Sequence, residues 1–172
     1  MRSTVTEPPL PGDSLLRRFV DSGDYTDCFM TSVEGHFSFP AYAEAFYTTT
    51  VFKAERFILR WLASRPSTDA DVRALANGQA SKFAAWKLLD RSDDQMLLMD
   101  TRGRTCSWLM CIPAEKGTRL YFGSAIIRSR KTESGRRLGW AYRCLLGFHR
   151  LYSRILLRAA SRRVALMHQS RG

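Results

Sequence analysis

No stretch of the sequence reaches the ~18 uninterrupted apolar residues that a membrane-crossing helix needs, which excludes a membrane-spanning protein. The first residues, MRSTVTEPPLPGD, contain three prolines and no apolar run. They cannot serve as the hydrophobic segment of a secretory signal, and they predict a flexible N-terminal arm over residues 1–24. The four cysteines, Cys28, Cys106, Cys111 and Cys144, form no CxxC pair, and with three histidines they offer no metal-ligand spacing. No metal and no cofactor is therefore expected. Together these absences predict a cytoplasmic protein whose reduced thiols pack as small core hydrophobes. A Ser-His-Asp order, a phosphate loop, an HExxH helix and a dinucleotide glycine signature are all missing.

Acidic residues are scarce in one place only. Residues 1–127 carry 15 basic and 15 acidic side chains, whereas residues 128–172 carry 12 basic side chains against the single acid Glu133. The whole net charge of +11 thus belongs to the last quarter of the chain, and any electrostatic partner is met there.

What is present is enough apolar material for a core. At 172 residues, 45% hydrophobic and 12% aromatic, the chain suits one domain, read here as residues 25–166 with a tail at 167–172. Tyr25 to Val33 is rich in strand formers and ends at Glu34-Gly35. Ser38 caps a helix with Pro40 in its first turn, and the β-branched run Thr48-Thr49-Thr50 predicts a break before a second helix over Val51 to Ala63. A third begins at Ser67, with Asp69 and Asp71 in its first turn, and stops at Asn77-Gly78. Four short apolar runs follow, Phe83 to Asp90, Gln95 to Asp100, Thr105 to Pro113 and Thr118 to Arg128, separated by loops short enough for hairpins. A long helix from about Leu138 to about Leu166 closes the chain. The class predicted is α+β: an antiparallel meander of five strands in all, counting the first, packed on a long C-terminal helix, with helices inserted after the first strand.

This element order is that of the helix-grip arrangement. The segments AFYTTTVFKAERFIL, CSWLM, RLYFGSAI and LGWAYRCLLGFHRLYSRILL, with Gly139, Tyr142 and Phe148-His149-Arg150, resemble a bacterial branch of the START-like superfamily, also called SRPBCC or Bet v 1-like. The resemblance covers residues 25–166. It implies a cavity for a small hydrophobic ligand between the sheet and the last helix, a feature that serves binding, transport, cyclisation or hydrolysis. Fold alone does not choose among these.

Several residues stand out as candidates. Trp86, Trp108, Leu120 and Phe122 are aromatic and apolar residues of the meander suited to a concave, mostly apolar site, and Tyr142 joins them from the apolar face of the last helix. Set at 100° intervals, the second helix places Lys53, Arg56, Arg60 and Ser64 on one arc and Val51, Phe52, Ile58, Leu59 and Leu62 on the other, with Glu55 inside the apolar arc. In the last helix His149 sits among Leu138, Tyr142, Leu145, Phe148, Tyr152 and Leu156. A polar group on an apolar arc needs a partner or a function, so Glu55 and His149 are the catalytic candidates, and a pairing between them is one way to satisfy both. An ion pair or a satisfied core histidine is the plainer reading of each.

Arg143, Arg150, Arg154 and Arg158 form the opposite flank of the last helix. That flank is either a solvated face or a surface for anionic partners. No stacking motif interleaves aromatics with the basic residues, which argues against specific nucleic-acid binding. The leading expectation is therefore binding or handling of a small hydrophobic ligand. The alternatives are a small cyclase- or hydrolase-like enzyme using Glu55 or His149, and an interaction module acting through the basic helix.

Overall fold

The computed structural model describes residues 4–52, 68–127 and 139–169, the last segment with side chains at 147 and 149–167. Six antiparallel strands, β1 (Tyr25–Val33), β2 (Lys82–Phe83), β3 (Trp86–Arg91), β4 (Gln95–Asp100), β5 (Thr105–Ala114) and β6 (Gly117–Ile126), lie side by side in the order β1-β6-β5-β4-β3-β2. The meander is formed as expected, and β1 closes it by pairing with the last strand. There are six strands rather than five because the run starting at Phe83 turns on itself. Ala84 adopts φ +51°, and Phe83 pairs with Trp86.

Four helices lie wholly within the described residues: α1 (Arg17–Asp21), α2 (Phe39–Tyr47), α3 (Asp69–Ala76) and α4 (Gly139–Gln169). Ser38 caps α2 by accepting from Ala41 N. The expected break occurs at Thr48: its Oγ1 donates to Glu44 O at 2.6 Å, Thr49 Oγ1 accepts from Phe52 N at 3.2 Å, and helix resumes at Thr50. Threonine hydroxyls here both end one helix and cap the next. The residues expected to continue it beyond Phe52, Glu55 among them, lie outside the described residues. In α3 a capping box joins Thr68 and Asp71, so the helix begins at Asp69, two residues after the expected start at Ser67.

Strand alternation divides the core in two. On one face Phe29, Leu109, Cys111, Leu120 and Phe122 pack against α2, α3 and the buried Leu156, Leu157, Ala160 and Val164 of α4. On the other, Trp108, Met110, Tyr121 and Cys28 pack against Leu16 and Phe19. The N-terminal segment, expected as a flexible arm, supplies that second layer. Thr6 forms a β-bridge with Met30 along the free edge of β1, and Val5, Leu16 and Phe19 are buried. Covering an edge strand in this way also protects it from pairing with other chains. No described helix is long and apolar enough to cross a membrane.

Candidate functional site

The inward side of β1, read at every second residue, is Asp27, Phe29, Thr31, and that of β6 is Ser124, Phe122, Leu120; the register sets these pairs directly opposite one another. Asp27 and Ser124 are therefore polar residues on a core-facing row. Asp27 Oδ1 accepts from Ser124 N at 2.9 Å and lies 2.7 Å from Ser124 Oγ. The α4 helix brings His149 onto the same spot, with Nε2 2.7 Å from Ser124 Oγ and 3.2 Å from Asp27 Oδ2.

The proton positions follow from counting donors. A carboxylate has no proton to give, so the 2.7 Å contact between Oγ and Oδ1 requires the serine hydroxyl to donate to Asp27. That hydroxyl hydrogen is then spent, and Ser124 Oγ accepts from His149 Nε2–H. The serine is thus turned away from use as a nucleophile deprotonated by this histidine, which would need the hydroxyl proton on Nε2. Asp27 Oδ2 stands near the ring nitrogen, yet it makes no aligned hydrogen bond and is buried. The Asp27 side chain is 8% exposed, that of His149 30%.

Beside this cluster a partly open cavity of about 350 Å³ lies between sheet and helices. Its wall is made by Phe46 of α2, Phe52, Trp86 of β3, Thr105 to Ser107 of β5, Phe122 and Ser124 to Ile126 of β6, and His149, Tyr152 and Leu156 of α4. The wall is mainly apolar, and its polar groups gather on the β5–β6 side, where Ser107 stands opposite Ser124 in register and its Oγ meets Tyr47 OH at 3.3 Å. The rings of Phe46 and Phe122, 4.9 Å apart, brace the floor. Across the cavity Trp86 keeps its indole Nε1 buried without a hydrogen-bond partner among the described residues.

Of the candidate residues, Trp86, Phe122 and His149 come together at this wall. Leu120 is fully buried in the same core but off the cavity. Trp108 is on the opposite face of the sheet, because it pairs with Gly123 while Phe122 pairs with Leu109; its indole N–H donates to Gln95 Oε1 at 2.9 Å. One residue of offset along a strand reverses the side chain's direction, so Trp108 cannot share a face with Leu120 and Phe122. The side chains of Tyr142 and Arg143, and all of Glu55, lie outside what is described. The carboxylate beside His149 is that of Asp27.

Asp27 and Ser124 carry a signal that the sequence reading misses: each interrupts an alternating apolar row in a strand, just as His149 interrupts the apolar arc of a helix. The arginine flank also has a partner that the sequence did not suggest. Glu7 binds Arg150 and Arg154, the latter at 2.6 Å. Burial works against ionisation of Glu7, but the hydrogen bonds and charges of these two arginines outweigh it and hold the carboxyl below its ordinary value of 4.5. Arg163 Nε donates to Thr48 Oγ1 at 2.8 Å, tying α4 to the end of α2.

Among the described residues no group of His, Cys, Asp and Glu is placed to hold a metal ion. The chain matches no protein-family model, and no curated relative resembles it.

Proposed function

We propose that the chain binds or handles a small hydrophobic ligand in the cavity between the sheet and α4, as a helix-grip-like, START-like domain of the cytoplasm. The observation that supports this best is the cavity itself: about 350 Å³, walled by Phe46, Phe52, Trp86, Phe122, Tyr152 and Leu156, with polar groups confined to one side. Ligand sites have this character, mostly apolar with a few placed polar groups, and this volume lies at the lower end of their range.

The test is a titration of the full chain with N-phenyl-1-naphthylamine, an uncharged fluorophore, together with native mass spectrometry of the protein as purified. Saturable fluorescence enhancement is expected, with loss of most of it in Leu156→Trp, whose larger side chain fills the space beside Tyr152. Absence of saturable binding by the unmodified chain would sink the reading.

A second reading, an interaction surface for anionic partners, is favoured by the outer side of α4. Leu151, Ile155 and Leu166 are 58%, 42% and 63% exposed there, and the helix contains six arginines and no acid. An acid–base role for His149 with Asp27 is the enzymatic variant of the first reading; it places catalysis in the same cavity.

A further inference from the structure

In the trio of Asp27, Ser124 and His149 the donors are committed while acceptors are left over, and this decides what a ligand must bring there. Asp27 carries only acceptors. Both hydrogens that reach its Oδ1, from Ser124 N and Ser124 Oγ, are already committed. The His149 Nε2–H is committed to Ser124 Oγ at 2.7 Å. Between Asp27 and Ser124 two acceptor positions are left: the second lone pair of Ser124 Oγ, at the cavity wall, and Asp27 Oδ2, which is buried without a hydrogen bond among the described residues. The indole N–H of Trp86, a donor at the wall without a partner among the described residues, belongs to β3, three strands away from β6. At a strand spacing of about 4.8 Å the two strands themselves run roughly 14 Å apart, so this donor belongs to the far side of the cavity.

Charge narrows the ligand further. Among the described lining residues there is no lysine, arginine, aspartate or glutamate, and the one ionisable base, His149, already faces the Asp27 carboxylate. A ligand carboxylate placed here would lie beside that carboxylate with no cation left to offset it, and burying a charge without a partner is costly. A hydroxyl, by contrast, gives its hydrogen to Ser124 Oγ without bringing charge.

From this corner we infer that the cavity selects an uncharged apolar ligand carrying a hydroxyl group, which donates to Ser124 Oγ in front of Asp27 and His149. The inference rests on the ligand-binding reading above and adds to it the chemistry of the ligand's polar end.

The experiment compares isomers, so that size and carbon count are fixed. The full chain is titrated calorimetrically with 1-decanol, with its isomer 1-methoxynonane, which has the oxygen but no donor, and with decanoate. The ether is the more hydrophobic of the two isomers, so a preference for the alcohol runs against simple partitioning. On the unmodified chain the alcohol should bind about tenfold more tightly than the ether, the worth of one buried hydrogen bond of ~1.4 kcal/mol, and decanoate should bind more weakly than either. In Ser124→Ala the alcohol's advantage over the ether should vanish while the ether's own affinity is kept. Asp27→Asn, which preserves shape and removes the charge, should raise decanoate affinity towards that of the ether. Equal binding of alcohol and ether by the unmodified chain, or decanoate binding as tightly as the alcohol, would overturn the assignment of the polar end and leave the ligand cavity standing. Failure of all three probes to bind would overturn both. The comparison on the unmodified chain decides the matter even where a variant does not fold.

Discussion

Asp27 is the residue on which the polar corner depends, since it alone accepts from Ser124 N and Ser124 Oγ and stands against His149. Asp27→Ala removes the acceptor and leaves two buried donors unsatisfied, which costs the desolvation of each. We expect a loss of about 2–5 kcal/mol in chemical denaturation, against a smaller loss for Ser124→Ala, which keeps the backbone donation from residue 124 to Asp27 and frees only the N–H of His149, a ring exposed enough to reach water. Comparable losses for the two variants would mean that the corner is not organised around the carboxylate. The thiols supply a second measurement at this scale. Burial, helped by the nearby carboxylates of Asp27, Asp100 and Asp94, pushes Cys28, Cys106 and Cys111 up to about 12. Only the thiolate is nucleophilic, so native protein at pH 8 should leave these three unmodified by iodoacetamide, as judged by peptide mass spectrometry, and denatured protein should expose all of them. Rapid labelling of any of the three in the native state would contradict their packing as core groups.

Between elements, the seam of β1 with β6 positions the corner, and it depends on a glycine. A Cβ at Gly123 would stand 2.6 Å from the backbone oxygen of Asp27 and 3.0 Å from the Trp108 ring. Gly123→Ala must therefore push β1 away from β6, and the same displacement draws Asp27 from Ser124. We expect it to lower the melting temperature and to weaken ligand binding together, in contrast to substitutions at the exposed Gly147, where added bulk meets nothing within 4 Å. The N-terminal segment is held across the other side of β1 by Glu7, whose ionised form is favoured in the fold. Because its folded pKa lies below the ordinary 4.5, the stabilisation from Glu7 is present above that value and is lost as pH falls through the folded one. Urea midpoints of the unmodified chain and of Glu7→Gln should differ at neutral pH and converge under acid; a constant difference across that range would mean the arginine pair contributes nothing through charge. The strands, the break at Thr48 and the long last helix were legible in the sequence because they rest on local chemistry: β-branched runs, turn residues and caps. The packing of Leu16 and Phe19 was not legible, since prolines around them suggest an arm and nothing local shows that a sheet face awaits cover. The side of the sheet that Trp108 occupies is illegible for a related reason. Both faces of β5 are apolar, so alternation along Cys106 to Ile112 does not say which face looks at the helices. Half of the site was within reach, through His149, Trp86 and Phe122, while Asp27 and Ser124 gain their meaning only from the register that puts them opposite each other.

For the molecule as a whole, the question is what the positive charge of the last quarter does once the fold has used part of it. Arg150 and Arg154 are engaged by Glu7, and Arg163 is bonded to Thr48. Arg158 and Arg162 remain exposed, with no ion pair among the described residues. At 100° per residue they share with Leu151, Ile155 and Leu166 an arc of about 80° on the outer side of α4. Exposed leucine and isoleucine beside free arginines suit an anionic interface, where apolar contact and charge add to each other. The two pairs of arginines should therefore behave differently. Arg150→Gln with Arg154→Gln removes the partners of Glu7 and should lower stability. Arg158→Gln with Arg162→Gln keeps good helix formers in place and should leave the melting temperature nearly unchanged. Sedimentation with vesicles containing phosphatidylserine, against vesicles of phosphatidylcholine alone, reads the other property: the unmodified chain should bind the anionic vesicles at low salt and release them as salt rises. The second double variant should lose most of that binding. If the unmodified chain stays in the supernatant when anionic vesicles are sedimented at low salt, the outer face of α4 is a solvated surface and the interaction reading is abandoned. Ligand binding in the cavity on the inner side of the same helix would be unaffected by that result, because Tyr152 and Leu156 face inward while Leu151 and Ile155 face out.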